Sequence, residues 1–381
     1  MNAPKVALRV AEWNERDLSG IWDLCRQTFD IYRSVTRTDF LELYRHRWLD
    51  NPARTEQHTL GWVLDTPEDG IAGFVGMVPV RMKLGDREVV GASGTTFAVL
   101  SSYRAYSVSL YKKFTDWGNQ QLLIDVTSGE VGNKLHTHLK QGLVPIPVGQ
   151  MDHQFFWPIR PEIPVRWMLE KSRWKTWAPL FGQPPFSWLL RACAWAKFRC
   201  HRRVQFSGGN LPVESVEAIT DEYTRFWEAH KHQYGITTVR DQRYLQWRHI
   251  DVPPAMNIVR MFACREKGQL NGYLSLMERN PEMNYYPGHF RVIDLFYDRT
   301  RPEVLQSLMN HAFEVARAGG GSLFEVSGMS PEVMDQLRSQ RPYEKLRGSW
   351  PYWYKTPSSD LADVASKAEW WPSSSDGDSN L

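Results

Sequence analysis

The feature that most constrains this chain is an internal echo. Arg47-x-x-Asp50-x-Pro52 returns as Arg248-x-x-Asp251-x-Pro253, an offset of 201. Leu123-Ile-Asp125-Val126, followed by Ser128-Gly129, returns as Leu323-Phe-Glu325-Val326 and Ser327-Gly328, an offset near 200. Between them Gly73-Phe74 parallels Gly272-Tyr273, and Ile21-Trp22 parallels Phe226-Trp227. R-x-x-D-x-P is by itself a common helix stop, with proline beyond the end. Four matches in order at a nearly constant offset point instead to two related halves. A length of 381 residues allows this, since domains run to ~100–200 residues.

Each half reads alike. In the first, 6–12 alternates as a strand, and 17–30 and 37–49 read as helices. Strands follow at 58–65, 71–84 and 88–100, the last two joined by a Gly85-Asp86 hairpin turn. A helix at 105–117, a buried strand at 122–127, a helix at 131–141 and a strand at 143–149 complete it. The second half predicts a strand at 213–219, helices at 221–234 and 239–249, and strands at 257–264, 270–279 and 288–297. A helix at 302–318, a strand at 322–327, a helix at 330–339 and a terminal extended segment follow. The expected fold is α/β, with mixed sheets.

Composition excludes several classes. The hydrophobic fraction of 42% and charged fraction of 23% rule out a disordered, collagen-like or polytopic membrane chain. A net charge of +3 is too small for a nucleic-acid-binding polycation. Cys25, Cys193, Cys200 and Cys264 form no C-x-x-C pair, so neither a zinc ribbon nor a disulfide framework is expected. The first residues lack an apolar signal-peptide core, and no run of about 18 apolar residues occurs. A cytoplasmic location is the expectation.

The element order resembles that of the GNAT acyltransferase superfamily, here as two tandem copies covering most of the chain. In that family a strand ending in V-x-P-x-Y-R runs into R-x-x-G-x-G/A at a helix start. Unpaired backbone N–H groups and the helix dipole there favour an anion. Val99, Tyr103 and Arg104 match this pattern, while Ser101 stands for the proline and Ser107 and Ser109 for the glycines. Serine can donate to phosphate, but its Cβ narrows the approach. The resemblance implies acetyl-CoA or another acyl-CoA as donor, held by Val99, Leu100, Arg104, Ala105, Tyr106, Ser107, Val108 and Ser109. The matching stretch of the second half, Asp294 to Pro302, has no glycine cradle and carries acidic groups, so no CoA is expected there.

Acyl transfer needs a base for the acceptor proton and an acid for the leaving thiolate. In the family a tyrosine four residues before a K-x-G-F turn often serves as acid; Lys140-Gln141-Gly142-Leu143 places His138 there. Asp125 interrupts an apolar strand, with Glu325 in the matching place, and a buried carboxylate needs a partner or a task. It reads either as a general base or, preferably, as a salt bridge to Arg47 or Arg248. Asp125 and His138 are the catalytic candidates. Asp376 and Asp378 alone do not make a metal site, and no metal is expected.

Residues 160–204 break the symmetry between a first domain (1–159) and a second (205–357). They hold Trp167, Trp174, Trp177, Trp188 and Trp195 of the chain's 17 tryptophans, and ten Lys/Arg against Glu162 and Glu170. Pro179, Pro184 and Pro185 split the stretch into two short helices. Bridging helices with buried tryptophans, peripheral contact with a membrane's inner face and an aromatic glycan groove all suit this composition. The tail, 358–381, ends in Trp370-Trp371-Pro372, then Asp376-Gly377-Asp378, similar to tandem GNAT proteins of bacterial polysaccharide synthesis. The resemblance thus implies acyl transfer to an amino or hydroxyl group of a small molecule or lipid-linked glycan, with no nucleic-acid partner. A Fem-type aminoacyl transferase and a degenerate, non-catalytic scaffold remain as alternatives.

Overall fold

The computed structural model describes residues 6–149, 152–171, 183, 186–198, 209–253, 257–281, 286–346 and 352–378. The chain opens with β1 (Ala7–Val10), α1 (Glu15–Thr28) and α2 (Arg37–Trp48). Both helices start where a side chain takes an orphan N–H: Asn14 accepts from Asp17, and Thr36 from Asp39. In α1 the buried Leu18, Ile21, Leu24 and Cys25 recur at helical spacing, which sets the face laid on the sheet. Next come β2 (Gly61–Thr66), β3 (Gly70–Leu84) and β4 (Arg87–Val99). Leu84 pairs with Arg87 across the two-residue turn, where Gly85 adopts a φ of 59°. Then follow α3 (Ser107–Trp117), β5 (Leu122–Asp125), α4 (Glu130–Leu139), β6 (Val144–Pro145) and β7 (His153–Pro158).

Two helices, α5 (Glu162–Lys171) and α6 (Phe186–Phe198), lead to the second half. It comprises β8 (Val213–Val216), α7 (Asp221–His230), β9 (Ile236–Thr238) and α8 (Gln242–Leu245), continued by a π turn over Gln246–Ile250. After these come β10 (Asn257–Glu266), β11 (Gln269–Arg279), β12 (His289–Tyr297), α9 (Pro302–Ala318), β13 (Leu323–Ser327) and α10 (Pro331–Arg338). The chain ends with β14 (Tyr343–Leu346), β15 (Trp353–Lys355) and α11 (Ser359–Lys367).

The strands form two mixed sheets of matching order. One runs β1-β2-β3-β4-β5-β15-β6, and the other, read from the same end, β8-β10-β11-β12-β13-β7-β14. In each, the strand beside the parallel pair comes from the other half. β7 pairs antiparallel with β13 and β14, and β15 with β5 and β6. β9 adds a further crossing by pairing with β3 at Met82–Leu84. The stretch 143–149, expected as the last strand of the first half, contributes only the two-residue β6 to the sheet.

The halves meet at counterpart positions. The His46 ring stacks on Trp247, its counterpart 201 residues later, with centroids 5.2 Å apart. Trp247 Nε1 donates to His46 O at 2.9 Å. Trp157, Trp227 and Trp371 are fully buried, so part of the high tryptophan count fills core.

Candidate active site

In both sheets the one parallel pair is short, and the strands then separate. β4 pairs with β5 only from Gly91–Ser93 to Leu122–Ile124. β12 pairs with β13 only from His289–Val292 to Leu323–Val326. In β4 the register shifts just past this point, and Thr96 there has a φ of 49°. Such a bulge turns the strand's end away from its neighbour. The two openings are furnished differently.

At the first opening, Asp125 is the last residue of β5. Its Oδ2 lies 2.9 Å from His136 Nε2 of α4. The same nitrogen is 2.8 Å from Ser128 Oγ, and His136 Nδ1 is 2.6 Å from the Tyr111 hydroxyl of α3. The ring also packs 5.0 Å from Trp353, on the strand lent by the second half. Nε2 donating to Asp125 and Nδ1 accepting from the Tyr111 hydroxyl fits this set. Burial, with the Asp125 charge, pushes the Tyr111 phenol up, so it keeps its proton. His136 is buried, whereas the Asp125 side chain is 15% exposed. Asp125 and the half-buried Ser128 are therefore the members of this group that an incoming molecule can touch.

The tail borders the same mouth. Thr127 Oγ1 donates to Asp378 Oδ1 at 2.8 Å, and Thr95 bonds the same carboxylate. Burial pushes the Asp378 carboxyl up, against the pull of the Arg47 guanidinium. Asp376 accepts from Thr238 Oγ1 at 2.7 Å and from Ser373 N at 3.0 Å. Arg291 Nη2 donates to Ser374 Oγ at 2.8 Å. The segment 373–378 thus bonds to β5's end on one side and to β9 and β12 on the other.

The salt bridges expected for the strand carboxylates are replaced. Asp125 takes His136 rather than Arg47, whose charge instead meets Asp378 and the phenols of Tyr32 and Tyr44. Glu325 takes His289 at 2.7 Å and Arg291 at 3.5 Å rather than Arg248. The structure also brings Asp125 together with His136, not with His138. His138 stands on the exposed side of α4, its Nδ1 2.7 Å from Lys134 O of its own helix.

The residues of the donor motif form a strand, a turn and a helix start. Val99 ends β4 opposite Gly73, and Leu100 N donates to Ala72 O at 2.9 Å. Ser101–Tyr106 makes a 3-10 turn in which Arg104 and Ala105 are exposed. Tyr106 precedes α3, no side chain caps that helix, and Ser107, Val108 and Ser109 make its first turn. Tyr103, which matches the motif, is buried with its hydroxyl 2.8 Å from Asp69 Oδ2. Its role in this chain is to pin the turn to the β2–β3 connection.

The second opening is filled. Asp294 is fully buried, 2.9 Å from Arg240 Nη2, 3.4 Å from His249 Nε2 and 3.2 Å from the Tyr273 hydroxyl. Burial pushes its carboxyl up, but Arg240 and His249 overcome this and hold it below the usual range. Tyr234 stacks on Phe296 and meets Trp371 edge-on at 4.9 Å. Pro302 begins α9 with Glu303 in its first turn, a charge that disfavours a phosphate there. Among the described residues no group of three or more His, Cys, Asp or Glu is placed to hold a metal ion.

No family model and no curated protein sequence matches the chain. Solved structures do. Saccharomyces cerevisiae N-myristoyltransferase with bound myristoyl-CoA superposes with a TM-score of 0.51 at 9% identity, over 93% of this chain and 85% of that one. A GCN5-related N-acetyltransferase from Anabaena variabilis gives 0.53 at 12%, over 94% and 74%. A probable N-acyltransferase from Enterococcus faecalis gives 0.53 at 11%, over 92% and 72%. At these identities the likeness is one of fold, and it runs through both halves: the chain has the fold of the GNAT N-acyltransferases.

Proposed function

We propose that the protein is an acyltransferase that moves an acyl group from acyl-CoA to an amino or hydroxyl group, with the donor held by its first half. One observation carries this reading. The uncapped start of α3 and the divergent end of β4 flank an opening whose wall presents the Asp125 carboxylate, braced by His136 and Tyr111. Backbone N–H groups beyond Ser107, whose own N–H bonds Arg104 O, and the Ser107 and Ser109 hydroxyls would meet the pyrophosphate. The thioester would then lie toward the β4–β5 mouth.

There Asp125 takes the acceptor's proton as the acceptor's nitrogen or oxygen attacks the thioester carbonyl. The new C–N or C–O bond forms, the C–S bond breaks, and the proton ends on the CoA sulfur. His136 is a positioning residue, since it fixes the carboxylate's orientation through Nε2, and Tyr111 fixes the imidazole's tautomer. The Asp376-Gly377-Asp378 ending, whose Asp378 meets Thr127 beside that mouth, supports an acceptor such as an amino sugar or glycan of polysaccharide synthesis, acetylated from acetyl-CoA. α5 and α6, of 10 and 13 residues, do not supply the long coiled-coil arm of a Fem-type enzyme.

The test is release of free CoA thiol from acetyl-CoA with amino-sugar acceptors. Asp125→Asn should lower kcat by roughly 10²–10⁴ while leaving the CoA affinity intact. Turnover unchanged by this substitution removes Asp125 from the chemistry. No turnover with any acceptor, despite CoA binding, favours a scaffold.

A further inference from the structure

The insert contains a contradiction. α6 is among the most apolar helices of the chain, reading F-S-W-L-L-R-A-C-A-W-A-K-F, and it is also among the most exposed. Trp188 is 75% exposed, Leu189 61% and Phe186 46%. At 3.6 residues per turn, Phe186, Trp188, Leu189, Ala192, Cys193 and Ala196 share one arc of about 160°. All six are exposed. Met168 of α5, the helix on which α6 rests, adds a 45% exposed side chain. The bridging role with buried tryptophans is therefore met only in part: Trp167 packs edge-on against Tyr286 at 5.9 Å, and Trp188 faces solvent. Trp174, Trp177, Arg173, Lys175, Arg199, Arg202, Arg203, Pro179, Pro184 and Pro185 lie outside the described residues.

Leaving this much indole and aliphatic surface in water is unfavourable, at ~25 cal/mol per Å². Its charge setting says what covers it. Residues 160–204 carry ten Lys/Arg against two Glu. Arg191 stands beside the arc, and its guanidinium is 3.9 Å from Glu162 and still 64% exposed. A second copy of the chain fits poorly. A helix of 13 residues is about 20 Å long and about 10 Å wide, so one face offers on the order of 200 Å², against ~800 Å² per partner in a stable interface. An apolar, exposed helix with tryptophan at the border of its arc, in a stretch of sequence rich in cations, suits a lipid headgroup layer, where apolar side chains sink into the acyl boundary and cations meet anionic phosphates.

We propose that α6 is a membrane-docking helix, which lies flat on an anionic bilayer with Phe186, Trp188 and Leu189 inserted. Among the described residues no helix is long and apolar enough to cross a membrane, so the contact is peripheral. It is independent of whether the β4–β5 mouth binds acyl-CoA.

The experiment is co-sedimentation of the full chain with vesicles of 30% phosphatidylglycerol in phosphatidylcholine and with pure phosphatidylcholine vesicles. The wild type should pellet with the anionic vesicles at least tenfold more strongly than with the neutral ones, and raised salt should weaken this. The double variant Trp188→Glu/Leu189→Glu changes only exposed positions, so its thermal midpoint should hold while vesicle binding falls at least tenfold. Binding that survives the double substitution, or absence of binding to anionic vesicles, overturns the proposal. A wild-type dimer in sedimentation velocity that the double variant dissociates, without vesicle binding, also overturns it, in favour of a second copy.

Discussion

At the residue scale, burial holds several histidines neutral. His46 is the clearest case. Burial, then the nearby Arg248 and Arg47 guanidiniums, push its pKa down to about 4. Burial lowers His249 and His289 as well. In the unfolded chain a histidine takes its proton near pH 6.5, whereas folded His46 does so only near 4. The unfolded state binds more protons in that window, so stability is greatest above pH 6.5 and falls as pH drops toward 4. For His46 alone the loss reaches about 2 kcal/mol by pH 5. His46 Nε2 has no hydrogen-bond partner, so His46→Phe keeps the stack on Trp247 and removes the titration. Thermal midpoints from pH 7 to 5 should fall less steeply in the variant, and equal slopes would exclude this origin. The pairing of Asp125 with His136 was not legible in the sequence. On α4, Leu135 and Leu139 define an apolar stripe from which positions 136 and 138 are equally far at about 100° per residue. Tyr111 and Trp353, from two other elements, decide between them.

At the element scale, what could be read locally was read well. α9 begins at a proline and is amphipathic, and its span of 302–318 is the one expected. The β3–β4 hairpin is announced by its Gly-Asp turn. The tail was opaque, since a Ser/Asp/Gly composition is also that of disordered ends. Its burial depends on Gly377, which has a φ of 60°. A Cβ there would lie 2.4 Å from Ser93 Oγ and 2.9 Å from Val126 Cγ2. Gly70, with a φ of 65° and nothing within 4 Å, shares the conformation without the crowding. Gly70→Ala should therefore cost about 1 kcal/mol for the left-handed backbone. Gly377→Ala should cost a further ~1–3 kcal/mol from overpacking and should displace Asp378 from Thr127. Chemical denaturation of the two variants measures the difference, and equal losses would mean that the tail is not wedged.

At the scale of the whole molecule, the two halves are interleaved. The repeat at an offset near 200 reveals two units of one kind, and the two sheets share a strand order. The reciprocal loan of β7 and β15 could not be read, because these strands are six and three residues long and pair with partners some 200 positions away. Local periodicity carries no record of such pairing. The loan places Trp353 against His136, so the first opening is completed by the second half. The second opening is filled by its own Asp294–Arg240 pair and by Trp371. We propose that this asymmetry leaves one donor site, at the start of α3. The most direct test is a titration of the thermal midpoint with acetyl-CoA, a long-chain acyl-CoA and free CoA, for the wild type and for Ser107→Glu. A first-turn glutamate favours the helix, so the variant should be as stable as the wild type without ligand. A concentration-dependent rise is expected for the wild type, worth about 2.7 kcal/mol at a hundredfold excess over Kd, and none for Ser107→Glu. A wild type indifferent to all three ligands, or an equal rise in both proteins, would contradict it.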